Sequence, residues 1–207
     1  GAVVRTFKDL VTGEVIGFEP TRYTGNIPLS EDGSKDYTNV LGNKYDVSND
    51  PVDLVKEVNG EEYILADLPP ENVKGTLSVT KTRARDLYSE EELKAKGVNG
   101  SAFVTPAEYN YVKKTKVEEV NRTIKYVYAD DAKDLAGQQV FEPTKQTVSY
   151  TGTIQVNDKN EAQVDANRKP IYINWVGNGD TTLPEVKVPQ KEGYIASVEK
   201  VAAQPTT

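Results

Sequence analysis

Short runs of alternating apolar and polar residues dominate the chain, a pattern that predicts strands far more than helices. Val4, Thr6 and their neighbours read as a first strand, Thr12-Gly13 as a hairpin turn, and Glu14 to Phe18 as the returning strand. Residues 25–49 are rich in Gly, Asn, Asp and Ser, which predicts a long loop with short strands at most. Asp50-Pro51-Val52-Asp53 carries the marks of a helix start, with Asp50 to cap free amides, Pro51 in the first helical position and Asp53 against the dipole. That helix is expected over 51–58, stopping at Asn59-Gly60. Strands follow at 61–66 and 75–83, and Ser89-Glu90-Glu91-Glu92 spells a capping box for a short helix that ends at Gly97. A strand near 108–117 leads onward. The stretch 117–120 is too short and too poor in Gly and Ser to let the two halves swing freely. In the second half strands are expected at 122–128, 146–156, 171–176 and 193–199, with a turn through Asp130, Asp131 and Leu135-Ala136-Gly137.

The pattern is written twice. Arg5-Thr6-Phe7-Lys8 returns as Arg122-Thr123-Ile124-Lys125, and Phe18-Glu19-Pro20-Thr21-Arg22 as Phe141-Glu142-Pro143-Thr144-Lys145. Tyr23-Thr24-Gly25-Asn26-Ile27 returns as Tyr150-Thr151-Gly152-Thr153-Ile154. A weaker fourth echo sets Glu61-Glu62-Tyr63-Ile64-Leu65-Ala66 against Glu192-Gly193-Tyr194-Ile195-Ala196. The order is the same in both copies, at an offset of roughly 120 residues, which indicates two diverged modules of one kind. The expected fold is therefore α+β and β-rich. It comprises two tandem β-grasp (ubiquitin-like) modules in an elongated arrangement, a larger one with short helices over 1–118 and a smaller one over 119–207.

Composition narrows the chemistry. The 207 residues suit two domains of roughly 100 each. A formal charge of −7 disfavours nucleic acid and anionic membrane surfaces as partners. With no Cys there is neither disulfide nor thiolate metal site, which suits a bacterial surface module better than a secreted eukaryotic one. With no His, the usual general base and Ser-His-Asp machinery are missing, so an enzyme is not expected. No apolar run approaches 18 residues, so no membrane-spanning segment is expected. The lack of even an initiator Met suggests a piece of a longer protein, with export signal and wall anchor outside it.

The second half also carries spaced blocks that are family-specific: Arg122-Thr123-Ile124-Lys125-Tyr126, then Pro143, Gln146, Val148 and Tyr150-Thr151-Gly152-Thr153, then Trp175, and finally Leu183-Pro184-Glu185-Val186, Pro189, Gly193 and Tyr194. In these residues the segment 119–207 resembles a mucus-binding (Mub/MucBP-type) repeat of lactobacillal cell-surface adhesins, and 1–118 resembles the same family more loosely. The resemblance implies tandem β-grasp-like repeats on large, exported, wall-anchored proteins of Gram-positive bacteria. It further implies attachment to host mucus, with mucin glycans as the target and adjacent repeats as neighbours. It transfers no set of binding residues.

Physics supplies the candidate sites. Tyr is frequent, with 12 copies against 4 Phe and one Trp, and aromatic faces stack on the C–H faces of sugars. Tyr109 and Tyr111 share one face of an expected strand, as do Tyr126 and Tyr128. The alternative for each is an ordinary core or sheet-surface role. Trp175 alternates with Ile171 and Ile173 and is expected in the core. Lys81, Arg83 and Arg85 alternate along the strand expected at 75–83, about 7 Å apart, where they can meet a sialic acid carboxylate or a sulfate. The competing role is a charged edge that blocks sheet-to-sheet aggregation. Asp130, Asp131 and Asp134 offer oxygen ligands for a structural Ca²⁺, and so does the loop with Asp46, Asn49, Asp50 and Asp53. Neither set has EF-hand spacing, and Asp and Asn belong in turns and caps for local reasons. Asn121-Arg122-Thr123 fits an N-glycosylation pattern that carries weight only in a eukaryotic source.

The leading expectation is an adhesin module that binds mucin glycans weakly and multivalently. One alternative is a grip on host immunoglobulins through a β-grasp edge strand and the helix at 51–58; another is a passive stalk spacer.

Overall fold

A computed structural model of the chain describes residues 2–22, 31–32, 44–46, 52–67, 76–78 and 82–207. It is β-rich with few short helices. The chain divides into two units: 1–114 with 154–171, and 115–153 with 172–207. This differs from a cut at 118/119 because residues 154–171 return to the first unit. Ile154 N–H donates to the Lys114 carbonyl and Ala162 N–H to that of Leu65, each at 2.8 Å, and Ala162 is buried.

The first unit contains β1 (Ala2–Asp9), β2 (Val15–Arg22), β3 (Lys44–Asp46), β4 (Val55–Val58), β5 (Glu61–Asp67), β6 (Thr76–Ser78), α1 (Glu90–Lys96) and β7 (Val104–Lys113). Its sheet runs β2-β1-β7-β5-β4, with β3 and β6 paired separately. At the centre β1 and β7 are parallel, with Arg5 opposite Ala107, and every other neighbouring pair is antiparallel. The β1–β2 turn forms as the sequence predicts. The buried Asp9 carboxylate accepts from Val11 N–H at 2.8 Å, and Gly13 takes a positive φ of 75°.

Period-two alternation in β1 and β7 gives each face of the sheet its own core. Phe7, Tyr63, Leu65, Ala107, Tyr109 and Tyr111 cluster on one face. Val4, Phe18 and Val104 meet Ala84 and Leu93 on the other. Over the first face the sheet curls, because Lys56 on β4 places its ammonium 3.9 Å from the Phe7 ring centroid on β1 and 3.8 Å from Glu19 on β2. Between the strands β2 and β4 the curl leaves a cleft of about 310 Å³. Phe7 packs edge-on against Tyr111, centroids 5.7 Å apart at 84°, and such a pair contributes about 0.5–1.5 kcal/mol beyond burial. The other face is covered by α1, which begins and ends as its sequence dictates. Ser89 Oγ accepts from Glu92 N–H at 3.1 Å, Glu92 Oε1 accepts from Ser89 N–H at 3.0 Å, and Gly97 closes the helix at φ 66°.

The helix expected over 51–58 is a strand. Residues 55–58 form β4 and pair with β5, and Asn59-Gly60 is the hairpin turn between them, with φ of 52° and 79°. Asn-Gly supports either a helix stop or a two-residue hairpin, and a helix of about two turns ahead of it is too short to hold itself. Val55 and Val58 instead gain ladder bonds and cross-strand partners. Of the strand expected at 75–83, only 76–78 is seen as strand. Residues 79–81 lie outside the described residues, and 84–86 turn into a single 3-10 turn.

The second unit contains β8 (Thr115–Val127), β9 (Gln139–Ile154), β10 (Tyr172–Gly177), β11 (Thr182–Leu183), β12 (Val186–Lys187), β13 (Lys200–Val201) and β14 (Gln204–Pro205). A three-stranded sheet β10-β9-β8 is accompanied by the small pairs β11–β14 and β12–β13. Among the described residues the two units therefore differ in topology. The first two repeated blocks nevertheless occupy the same place in each, on the antiparallel hairpins β1–β2 and β8–β9. The registers differ: Thr6 faces Phe18, whereas the corresponding Thr123 faces Lys145. The second hairpin has a longer connection, which includes a kinked 3-10 segment at Asp130–Leu135. The Tyr23 block lies outside the described residues. The fourth echo does not share a structure: Tyr63 is buried in β5, whereas Tyr194 and Ile195 are exposed in a loop where a strand was expected at 193–199.

Tyrosine carries much of the first unit's core, and its ionisation sets an alkaline limit on stability. Burial, helped by the Asp53 and Glu19 carboxylates, pushes the Tyr111 phenol far above its ordinary 10.0. Burial likewise raises Tyr63 and Tyr88. A phenol held neutral when folded but free to ionise when unfolded stabilises the protein fully below pH 10 and progressively less above it. Urea midpoints measured from pH 8 to 11.5 are expected to fall beyond pH 10. Tyr111→Phe should cost about 1 kcal/mol at pH 8, through its lost bond to the Asp53 carbonyl, and make the alkaline fall shallower.

Candidate functional site

The β8–β9 hairpin has two unlike faces. Register pairs place Lys116 opposite Gly152, Glu118 opposite Tyr150, Val120 opposite Val148, and Arg122 opposite Gln146 on one face. On the other lie Val117 and Thr151, Glu119 and Ser149, and Asn121 and Thr147. The second face is hydroxyl-rich and internally bonded: Thr147 Oγ1 donates to Asn121 Oδ1 at 2.7 Å and Thr151 Oγ1 to Asn178 Oδ1 at 3.0 Å.

Toward its middle, the first face is tied to the C-terminal segments. Arg122 donates through Nε to Gln146 Oε1 at 2.8 Å, and through its terminal nitrogens to the Ala202 and Pro184 carbonyls, each at 2.9 Å. Gln146 Nε2 donates to the Pro184 carbonyl at 2.8 Å. Tyr150 shares a short hydroxyl hydrogen bond with Thr206. Three residues of the family-specific blocks, Arg122, Gln146 and Pro184, thus form one clamp, and Leu183 is buried next to it in sequence. The role of these residues is structural. Only a planar guanidinium can direct three donors this way, so Arg122→Lys should lower stability by roughly 2 kcal/mol, read by thermal melting.

At the end where β8 starts and β9 finishes, the same face carries an aromatic pair, Tyr172 and Trp175, of which the sequence assigned Trp175 to the core. Trp175 is not buried; it keeps 37% of its surface exposed. A Cβ added at Gly152 would lie 2.7–2.8 Å from three atoms of the indole, Cε2, Cδ2 and Cζ2. Near-equal distances to three ring atoms mean the ring lies flat on the strand at Gly152, with its opposite side outward. Tyr172 meets Trp175 at 6.5 Å and 60°, and Lys116 Nζ stands 6.0 Å from the Tyr172 centroid. Lys116 pairs with Glu118 at 3.6 Å, both half-exposed. The signal for this arrangement was present in the repeated Tyr-Thr-Gly block. A glycine inside a strand marks a close approach, here by an aromatic ring. The alternation of Trp175 with Ile171 and Ile173 misled because Asn174 takes φ 55° and breaks the period within β10. Gly152→Ala is expected to displace the indole, costing about 1–3 kcal/mol and red-shifting the emission of the chain's single tryptophan.

The other expected site residues fall as follows. Tyr109 and Tyr111 do share a face, but both are buried in the first unit's core, and Tyr111 donates to the Asp53 carbonyl at 2.6 Å. Neither presents a ring to a ligand. Tyr126 is buried and shares a hydrogen bond with Thr144 at 2.7 Å. Tyr128 is partly exposed and meets Tyr194 at 5.2 Å and 63°, a pairing the sequence did not foresee. Lys81 lies outside the described residues. Arg83 and Arg85 do not alternate along a strand, since the 3-10 turn begins between them. They converge nonetheless: Arg83 bonds the Ser101 carbonyl and lies 3.8 Å from the Phe103 ring centroid, and Arg85 reaches Ser101 Oγ at 3.4 Å.

Among the described residues no group of three or more acidic side chains converges as a metal site. Asp130, Asp131 and Asp134 lie on the 3-10 segment after β8. Asp46 falls in β3, and Asn49 and Asp50 lie outside the described residues. The Asp53 carboxylate pairs with Lys56 at 3.6 Å.

Residues 111–207 match the Muc B2-like domain family. Among solved structures the chain is similar to one described as Mub-RV, at 14% identity and a TM-score of 0.29, covering 98% of this chain and 88% of that one. It is also similar to the type 2 repeat of the mucus binding protein MUB from Lactobacillus reuteri, at 12% identity and a TM-score of 0.29, covering 100% of this chain and 91% of that one. No curated protein matches the sequence.

Proposed function

With the Muc B2-like domain as premise, we infer that this chain is a repeat unit of a bacterial cell-surface adhesin that binds mucin glycans weakly and multivalently. That family match over 111–207 is the observation that carries the reading. The chemistry of the chain agrees with a binding module. It has no His or Cys, and its second unit leaves at least partly exposed the aromatic pairs Tyr172/Trp175, on β10, and Tyr128/Tyr194, outside the strands. Extracellular display on a Gram-positive cell wall belongs to the same reading, and among the described residues no helix is long and apolar enough to cross a membrane. A shared β-grasp ancestry for the two modules also belongs to it, supported by the repeated blocks on the hairpins β1–β2 and β8–β9.

Shallow aromatic surfaces bind single sugars weakly, so attachment must come from repetition. Linking sites raises apparent affinity by ~10²-fold or more when geometry permits simultaneous engagement. One copy of the chain is expected to be retained poorly on immobilised mucin, and a tandem of three or four copies strongly. Equal retention of one copy and of the tandem would contradict multivalency. Retention that survives enzymatic deglycosylation of the mucin would point instead to a protein partner such as immunoglobulin. For that mode the expected helix is replaced by β4, which leaves strand addition as the route.

A further inference from the structure

We propose that the Trp175 indole, with Tyr172, Lys116 and Glu118, forms a subsite for one neutral hexopyranose ring. The Trp face supplies the stacking surface, and the Lys116–Glu118 pair reads a vicinal diol. The proposal rests on the glycan-binding reading above and gives it a place and a chemical class.

Three features of the geometry point there. First, Gly152 seats the indole flat on the sheet, so one face is fixed by the backbone while the residue keeps over a third of its surface in solvent. A ring immobilised from beneath loses little conformational entropy when a ligand covers its outer side. An aromatic face of this kind matches the axial C–H patch of a pyranose, which is flat and apolar although the sugar's rim is polar.

Second, Lys116 and Gly152 are register partners, so the ammonium belongs to the same face as the indole and beside it, and it lies 6.0 Å from the Tyr172 centroid. Third, Glu118 is two residues further along the same face, with its carboxylate 3.6 Å from that ammonium. An ammonium only donates and an ionised carboxylate only accepts. Side by side they complement neighbouring hydroxyls, one accepting from Lys116 and the other donating to Glu118. Their mutual attraction is worth little at this separation and exposure, so it is readily exchanged for a sugar. The carboxylate offsets the ammonium beside it, so the pair carries no net positive charge to hold a sialic acid or sulfated ring, which favours the neutral class.

The chain's single tryptophan makes the test site-specific, because its indole N–H gives one NMR signal and its emission reports one place. The whole chain is titrated with methyl galactoside, N-acetylgalactosamine, sialyllactose and, as a polyol control, xylitol, and its retention on mucin is measured in parallel. The expected result is a saturable shift of the indole signal with the neutral pyranosides, and none with xylitol. Mucin retention of the tandem form should fall at least tenfold in Trp175→Ala, and likewise in the Lys116→Ala/Glu118→Ala double variant, which removes both the donor and the acceptor. The double variant alters only exposed side chains, so it keeps the test valid if Trp175→Ala fails to fold. Retention of the double variant at the unaltered level overturns the subsite, as does an unmoved indole signal at saturating neutral sugar. A response to sialyllactose alone overturns the neutral-sugar assignment. If the unaltered tandem does not bind mucin at all, the adhesin reading itself falls; if it binds while the indole stays silent, only this subsite does.

Discussion

The parallel pairing of β1 with β7 is the contact on which the first unit depends. It joins residues about a hundred positions apart, Val4 to Pro106 and Phe7 to Tyr109, and every other part of that sheet is hung from it. Because the two strands alternate in phase, the pair feeds both cores at once. Phe7, Ala107, Tyr109 and Tyr111 point to the curled side, while Val4 and Val104 point to the side capped by α1. Loop closure of this length is slow and entropically costly before it is rewarded. Local elements with firm signals of their own, the Asp9-to-Glu14 turn and the Ser89–Gly97 helix, lower that cost by being formed nearly independently of it.

A chain without Met or Cys, and with only four Phe, fills such a core with tyrosine. Each buried phenol then needs a partner. Tyr111 finds the Asp53 carbonyl and Tyr88 finds Thr6. Those bonds place the segment before β4 and the segment before α1 respectively. They also explain why frequent tyrosine was a poor guide to ligand contact: the phenols that the alternation pattern grouped most neatly, Tyr109 and Tyr111, are the best buried.

What was legible in the sequence is what depends on neighbours in sequence. The β1–β2 hairpin, the capping box, the left-handed Gly97 and the strands near 122–128, 146–156 and 171–176 all follow from turn chemistry and period-two patterning. Asn59-Gly60 was ambiguous at that level, because a left-handed Asn-Gly ends a helix or turns a hairpin equally well. Only the pairing of β4 with β5 decides it. Trp175 and the Arg83–Arg85 pair escaped for a related reason. A strand period read across Asn174, or across the start of the 3-10 turn at Ala84, assumes a regular backbone that a single φ overturns.

The repeated and family-specific residues sort by a physical criterion. Arg122 commits three of its five N–H donors to Gln146, Pro184 and Ala202, so its guanidinium is oriented by the scaffold. Gly152 is different: its lack of a side chain is useful only because another residue lies on it. That residue, Trp175, has one face committed and one face free. A fold of this kind can therefore hold its scaffold constant through the Arg122 clamp while Lys116 and Glu118, exposed and paired with each other, are altered at little structural cost. Sugar preference among related repeats is then expected to vary at positions 116 and 118 rather than at 122 or 152, and the family's blocks would mark the scaffold and not the specificity.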